Sequence, residues 1–131
     1  MTEIAEVHEE LPATPAAPAL ARQLLDGWMS EMVGEDTADD VRAVATEIIG
    51  NAVRHGNLGE SDKIVVSGTV DDLRDVVRIE IEQPTPLTGA LAHSEPDHEA
   101  FGMGLRIVDG LTTQWGLDEG PPGVVWFEVD R

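Results

Sequence analysis

The chain has 131 residues, of which 41% are apolar, which suits one small domain with a single modest core. Eight basic residues against 26 acidic ones leave a formal charge of −18, which argues against nucleic acid or an anionic membrane surface as a partner. The absence of cysteine excludes disulfides, thiolate metal sites and a cysteine nucleophile, and no apolar run has the length of a membrane span. These features predict an acidic cytoplasmic domain.

The first part of the chain predicts a strand, a connector and a helix. Residues 3–10 are acidic with scattered apolar positions, as in a short edge strand, and residues 11–18 contain three prolines that disfavour pairing. A helix is expected over residues 16–33, because apolar residues recur every four positions. The buried stripe of this helix is predicted to be Leu20, Leu24, Trp28 and Met32.

A second helix has recognisable signals at both of its ends. Thr37 and Asp40 have the spacing of a capping box at its start. Gly56 is placed to end it, and Arg54 and His55 are favourably sited in its last turn. Its core-facing stripe is predicted to consist of Val41, Val44, Ala45, Ile48 and Ala52.

Beyond the second helix the apolar residues begin to alternate, which is typical of strands. Strands are predicted near residues 64–70 and 77–81, joined by a hairpin turn at residues 71–75. Residues 84–100 contain three prolines and show no periodic pattern, which predicts an irregular loop.

One more helix and two strands complete the predicted elements. The helix is expected from about Gly104, and the strands near residues 113–117 and 124–129. The order of elements favours a single α+β domain over residues 1–131, with helices packed on one face of a mainly antiparallel sheet.

Glu47 and Asn51 are the first candidates for chemistry. Because they lie four positions apart, they share one flank of the second helix beside its apolar stripe. The amide oxygen of Asn51 would suit a metal ion, and the carboxylate of Glu47 would suit a proton acceptor. The alternative is that both belong to an ordinary solvent-facing flank.

A second candidate segment is residues 101–105, which read Phe-Gly-Met-Gly-Leu. Two glycines allow close approach of the backbone to a ligand, and the N-terminus of the following helix attracts anions, as in phosphate sites. A plain loop-to-helix turn is the alternative. His93 and His98, in the preceding loop, are compatible with a metal site or with an ordinary solvated acidic loop.

Together and in order, these segments resemble the GHKL superfamily of ATPases and kinases. The N box of that family resembles residues 47–56, EIIGNAVRHG; its second glycine box resembles residues 101–108, FGMGLRIV; and its last strand resembles residues 125–127, VWF. The chain is most similar to the small anti-sigma regulatory factors, which include serine/threonine protein kinases of partner-switching systems. The resemblance implies a histidine-kinase-like, Bergerat-type two-layer sandwich of helices over a mixed sheet.

The resemblance also implies roles for individual residues. Glu47 would be the catalytic base that activates a hydroxyl of a partner, and Asn51 would bind both the nucleotide and its Mg²⁺. Residues 87–100 would form the ATP lid. Arg106 would reach a phosphate oxygen or, equally, serve on the surface. The phosphates would be wrapped by Gly102, Met103, Gly104 and Leu105.

Two positions depart from the family pattern, and both concern the adenine base. Gln83 stands where the family has the aspartate that reads the adenine amino group, and Thr85 stands where its glycine is expected. Val124 replaces a threonine commonly found before the Val-Trp pair. Loss of a charge-assisted hydrogen bond and of a supporting hydroxyl would cost about 2–4 kcal/mol of binding free energy.

Two functions therefore remain open at the level of sequence. One is an anti-sigma-factor-like regulator that binds Mg-ATP and phosphorylates Ser or Thr of an anti-anti-sigma partner. The other is a degenerate module of the same fold that sequesters a partner with little or no nucleotide. Expected partners are a sigma factor, an anti-anti-sigma factor or both, with a homodimer as a further possibility. An unrelated α+β domain with accidental matches is the third interpretation.

Overall fold

A computed structural model of the chain describes residues 4–87 and 102–131. Within these two ranges, five strands form one sheet in the order β1-β2-β3-β5-β4. All four described strand pairs are antiparallel, so the described part of the expected mixed sheet contains no parallel pair. The strands are β1 (Ile4–Pro12), β2 (Lys63–Asp71), β3 (Val76–Gln83), β4 (Gln114–Asp118) and β5 (Gly123–Asp130), and the helices are α1 (Ala17–Met29), α2 (Glu35–His55) and α3 (Gly102–Leu111).

Alternation of side chains along the strands separates a buried face of the sheet from a polar one. Partners in the register keep to the same face, as Gly68 and Ile79 do on the buried side and Ser67 and Glu80 on the other. The helices cover the apolar face, which confirms the predicted α+β class with helices on one side. Its buried residues include Ile64, Val66, Val70, Val77, Ile79, Ile81, Val125 and Phe127.

The buried stripe of α1 lies one residue further along the chain than predicted. Ala17, Ala21, Leu25 and Met29 are fully buried or nearly so, whereas Leu20 is 36% exposed. Leu24, Trp28 and Met32 pack against the core only in part. Both stripes have a four-residue spacing, and the one that contains two alanines faces inward because small side chains allow closer packing. The helix also ends at Met29 rather than near residue 33.

The start of α2 differs from the prediction, and its end agrees with it. The helix begins at Glu35 after Gly34 and has no side-chain cap, so the capping box at Thr37 and Asp40 is wrong. The Thr37 hydroxyl lies inside the helix and donates to the Asp130 carbonyl oxygen at 3.2 Å. At the other end, Gly56 does cap the helix, and its N–H donates to the Ala52 carbonyl oxygen.

Several boundaries also move by a few residues. Strand β1 continues through Pro12, which is compatible with an edge position because a proline at the last residue disrupts little pairing. Helix α3 starts at Gly102 rather than near Gly104. No helix in the described ranges is both long enough and apolar enough to cross a membrane.

A charged network covers part of the polar face of the sheet. The side chain of Glu128 is only 4% exposed, and its two oxygens accept hydrogen bonds from Arg74 at 2.8 and 3.1 Å and from Arg78 at 3.3 Å. The guanidinium of Arg78 also stacks 4.3 Å from the centre of the Trp126 ring. The hydrogen bond from Arg74 is the main reason that the pKa of Glu128 falls below its ordinary value, against an opposing effect of burial.

Candidate functional site

Helix α2 places Glu47 and Asn51 on one flank, as their spacing predicts. The neighbouring Ile48 and Ala52 face the core, which holds the flank against the body of the domain. The side chain of Glu47 is 29% exposed and that of Asn51 is half-buried. Both polar groups are therefore partly accessible to a ligand or to water.

Arg54 contacts both of these side chains. Its Nη2 donates to Asn51 Oδ1 at 2.8 Å and lies 3.7 Å from Glu47 Oε1. The guanidinium also lies over Gly50, where a β-carbon would be only 3.0 Å from Arg54 Nη1. The sequence placed Arg54 in the last turn of the helix but did not predict these contacts.

The contact with Arg54 shows which atoms of this flank face a cation. Because a guanidinium only donates, the oxygen of the Asn51 amide, and not its nitrogen, points toward Arg54. An amide oxygen and a carboxylate oxygen thus lie around one positive group, and such oxygens are the ligands that Mg²⁺ prefers. The residues at this end therefore fit a magnesium ion.

The described protein groups would not complete a metal site alone. Across residues 4–87 and 102–131, no group of three or more His, Asp or Glu side chains is arranged to hold an ion. A magnesium ion at Asn51 would therefore take its other ligands from phosphate oxygens and water. This is the usual arrangement for ions that accompany a nucleoside triphosphate.

Gln83, the last residue of β3, forms the second end of the site. Only 4% of this residue is exposed. Its Nε2 donates to Thr85 Oγ1 and to the Pro86 carbonyl oxygen, both at 3.0 Å. Thr85 Oγ1 donates in turn to the carbonyl oxygen of Gly56 at 2.6 Å. This network joins the end of β3 to the C-terminal end of α2, the helix that carries Glu47 and Asn51.

Gly56 is required at this junction for space. Its φ of −80° is accessible to any residue. A β-carbon there would clash with the Ala52 carbonyl oxygen and would lie 3.3 Å from Gln83 Nε2. The predicted end of the helix is confirmed, but Gly56 has a right-handed backbone conformation instead of the left-handed one typical of C-terminal glycines.

Thr85 and Leu87 anchor the loop after β3. The backbone N–H of Gly123 donates to the Thr85 carbonyl oxygen at 3.0 Å, and that of Leu87 donates to the Glu119 carbonyl oxygen at 2.9 Å. Leu87, the first residue of the predicted lid, is 7% exposed, and its side chain belongs to the apolar core. The rest of the predicted lid, residues 88–100, with His93 and His98, lies outside the described residues, as does Phe101.

Val124 faces away from this network. In the register of β3 and β5, Gln83 pairs with Gly123, whereas Val124 pairs with Glu82. Paired residues of an antiparallel sheet share a face, and adjacent residues point to opposite faces. The side chains of Val124 and Gln83 are therefore on opposite faces, and the predicted loss of a supporting hydroxyl at Val124 does not affect Gln83.

The second glycine box begins helix α3 rather than preceding it. Gly102, Met103, Gly104 and Leu105 form its first turn, and the structure describes their backbone alone. The helix packs against α2 and β4, with Val108 fully buried and Arg106 exposed. The N–H groups of a first helical turn lack partners within the helix and can donate to an anion.

The domain is a two-layer α+β sandwich. Helix α2, which carries Glu47 and Asn51, packs against both β3 and α3. Residues 11–125 match the family model of the histidine kinase-like ATPase domain. The chain belongs to this family. No curated protein matches the chain significantly.

Solved structures share the fold, among them the following two. The crystal structure of the RsbU and RsbW domains of Rv1364c from Mycobacterium tuberculosis matches 95% of this chain, with a TM-score of 0.74 and 19% identity. The histidine kinase domain of the blue-light activated kinase EL346 from Erythrobacter litoralis matches 91%, with a TM-score of 0.60 and 16% identity. The chain spans 32% of the first of these chains and 61% of the second.

Proposed function

We propose that this domain binds Mg-ATP and acts as an anti-sigma-factor-like regulator that phosphorylates a serine or threonine of an anti-anti-sigma partner. The observation that most supports the proposal is the arrangement of Glu47 and Asn51, whose oxygens lie around one cationic group on α2. Membership of the histidine kinase-like ATPase family supports the binding of ATP.

Each end of the site would bind a different part of the nucleotide. Asn51 Oδ1 would bind the magnesium ion, and the N–H groups of Gly102, Met103 and Gly104 would donate to phosphate oxygens. Gln83 would contact the base. Leu105 and Arg106 would lie beside the phosphates, because both follow within the first turns of α3. Bound Mg-ATP supplies the γ-phosphoryl group and the neutralisation of its charge.

Glu47 would act on the partner's hydroxyl. With its side chain 29% exposed, it is accessible to a group that approaches from outside the domain. Its carboxylate would accept the hydroxyl proton, as a general base does, while the partner's oxygen bonds to the γ-phosphorus and the bond from that phosphorus to ADP breaks. Arg54, 3.7 Å from Glu47 Oε1, would help to orient the carboxylate.

The partner is expected to present a basic surface. A formal charge of −18 would accelerate association with a basic protein, such as a DNA-binding segment of a sigma factor. The fold is shared with the structure that contains the RsbU and RsbW domains, which supports the choice of a partner-switching system. We propose a sigma factor, an anti-anti-sigma factor or both as partners, and a cytoplasmic location.

Two variants separate binding from transfer. Calorimetric titration with ATP and Mg²⁺ should show micromolar binding by the native chain and by Glu47→Ala. Asn51→Ala should bind at least about 100-fold more weakly, because it loses a ligand to the ion. Gln23→Ala, which removes an exposed amide on α1, is the matched control and should bind as the native chain does.

Transfer is then measured with radiolabelled γ-phosphate on candidate anti-anti-sigma proteins. The native chain should label a serine or threonine, and Glu47→Ala should not. Equal loss of ATP binding in Glu47→Ala and Asn51→Ala would contradict this division of roles. Partner binding by a native chain that binds no ATP would favour the sequestering module instead.

A further inference from the structure

The amide group of Gln83 has a fixed orientation. Thr85 Oγ1 has one proton, and the Gly56 carbonyl oxygen, 2.6 Å away, can only accept it. Thr85 Oγ1 must therefore accept from Gln83, as the Pro86 carbonyl oxygen must. Both N–H groups of Gln83 Nε2 are thus used within the domain, and no residue in the described ranges donates to Oε1, the atom that would bind a ligand.

From this constraint we propose that Thr85 is a positioning residue that makes Gln83 an acceptor only, so that the site selects 6-aminopurine nucleotides over 6-oxopurine nucleotides. The inference rests on the proposed function and names the determinant of its base specificity. An exocyclic amine at position 6 donates to Oε1, whereas an oxygen at that position meets a second acceptor and leaves both unpaired.

The same argument explains why a neutral residue can take the place of a carboxylate. A glutamine is normally able to present its oxygen or its nitrogen, so it would read either kind of purine. Rotation of the Gln83 amide would bring Oε1 against the Pro86 carbonyl oxygen, which is an acceptor that cannot adapt. It would also face Thr85 Oγ1, whose proton is already donated to Gly56.

The backbone around Thr85 holds the two acceptors, Thr85 Oγ1 and the Pro86 carbonyl oxygen, next to the amide of Gln83. The Thr85 carbonyl oxygen is held by Gly123 N–H, and the chain after Pro86 is held by the bond from Leu87 N–H to Glu119. Gly56, which lacks a side chain, leaves room for the amide against the end of α2. The orientation is therefore set by three elements that converge: β3, the loop after it, and the C-terminal end of α2.

The test compares ATP with ITP, which replaces the 6-amino group by an oxygen, in calorimetric titrations with Mg²⁺. The native chain should bind ATP at least about tenfold more tightly than ITP. Thr85→Val retains the shape of the side chain but lacks the hydroxyl, so only the Pro86 carbonyl oxygen still opposes rotation of the amide, and the ratio should fall to within about threefold. Thr85→Ser restores the hydroxyl and should restore the preference for ATP.

The matched control is Thr69→Val, on the opposite face of the sheet, which should leave both affinities unchanged. Equal binding of ATP and ITP by the native chain would overturn this inference alone. So would a Thr85→Val variant that binds ATP with an unchanged preference. If the native chain bound neither triphosphate, the proposed function would fail, and this inference with it.

Discussion

At the Glu47–Asn51 end of the proposed site the polar side chains are partly exposed and share an exposed arginine, whereas at the Gln83 end a buried amide is bonded to a half-buried threonine. The side chain of Arg54 is 57% exposed, and Gln83 is 4% exposed. An exposed ion pair contributes about 0–1 kcal/mol to stability, because water screens it. A buried group that loses its partner costs about 1–3 kcal/mol.

The contrast bears on an expectation drawn from the sequence. Gln83 and Thr85 depart from the family pattern, which predicted weaker binding at the Gln83 end, where a base would bind (the base end). The Glu47–Asn51 end, where phosphates would bind (the phosphate end), has no such departure. In the structure Gln83 and Thr85 satisfy each other and the end of α2. The polar contacts of the base end are therefore made within the domain, while the exposed contacts at the phosphate end are the ones that a bound ion would rearrange.

The largest effect is expected from a carboxylate at the base end. Gln83→Glu has nearly the same shape, but it puts an oxygen against the Pro86 carbonyl oxygen, where Nε2 now donates. We expect a loss of about 2–4 kcal/mol in the free energy of unfolding at neutral pH, measured by urea denaturation. Gln83→Asp would lose the same two donors, so it should not improve ATP binding.

The control for this prediction is Gln83→Met, which has a similar length and is apolar. It leaves the Pro86 oxygen unpaired without adding a charge, so it should cost about 1–2 kcal/mol. A Gln83→Glu variant as stable as the native chain would mean that the network at Thr85 and Gly56 contributes little. The contrast between the two ends of the site would then disappear.

An intermediate effect is expected on the polar face of the sheet, where burial is combined with charge. Glu128→Gln removes the charge that accepts from Arg74 and Arg78, and we expect a loss of about 1–3 kcal/mol at neutral pH. Because the pKa of Glu128 is lowered from its ordinary value of 4.5, this stability is present above about pH 4.5 and is lost as pH falls below it.

The measurement is the difference in unfolding free energy between the native chain and Glu128→Gln from pH 7 to pH 3. The difference should shrink below about pH 4.5, whereas the difference for Gln83→Met should stay constant, since no group in that network titrates. Glu80→Gln is the matched control, because Glu80 also pairs with Arg78 but is 48% exposed. It should change stability by less than about 0.5 kcal/mol.

Local patterns in the sequence predicted the positions of the site residues better than their contacts. Helical spacing placed Glu47 and Asn51 on one flank, and strand alternation predicted the buried face of the sheet. The same alternation could have shown that Val124 faces away from Gln83. Thr85 could not be assigned in this way, because its partner Gly56 is 29 positions earlier in the chain. Nor could periodicity choose between two stripes of α1 that have the same spacing.

The smallest effect is expected from Arg54→Ala at the phosphate end. Because Arg54 is exposed, its removal should change the free energy of unfolding by less than about 0.5 kcal/mol in urea denaturation. Its effect on the ion should be larger, since the guanidinium competes with Mg²⁺ for Asn51 Oδ1. Nucleotide binding by Arg54→Ala should be half-saturated at about two- to fivefold less Mg²⁺ than in the native chain.

Arg22→Ala, which removes an exposed arginine of α1, corrects for the general effect of a lost positive charge. If Arg54→Ala instead required more Mg²⁺, the guanidinium would be assisting the triphosphate and not competing with the ion. A large loss of stability in Arg54→Ala would contradict the small change in unfolding free energy expected for an exposed arginine. It would show that the phosphate end is held together as firmly as the base end, in spite of its exposure to water.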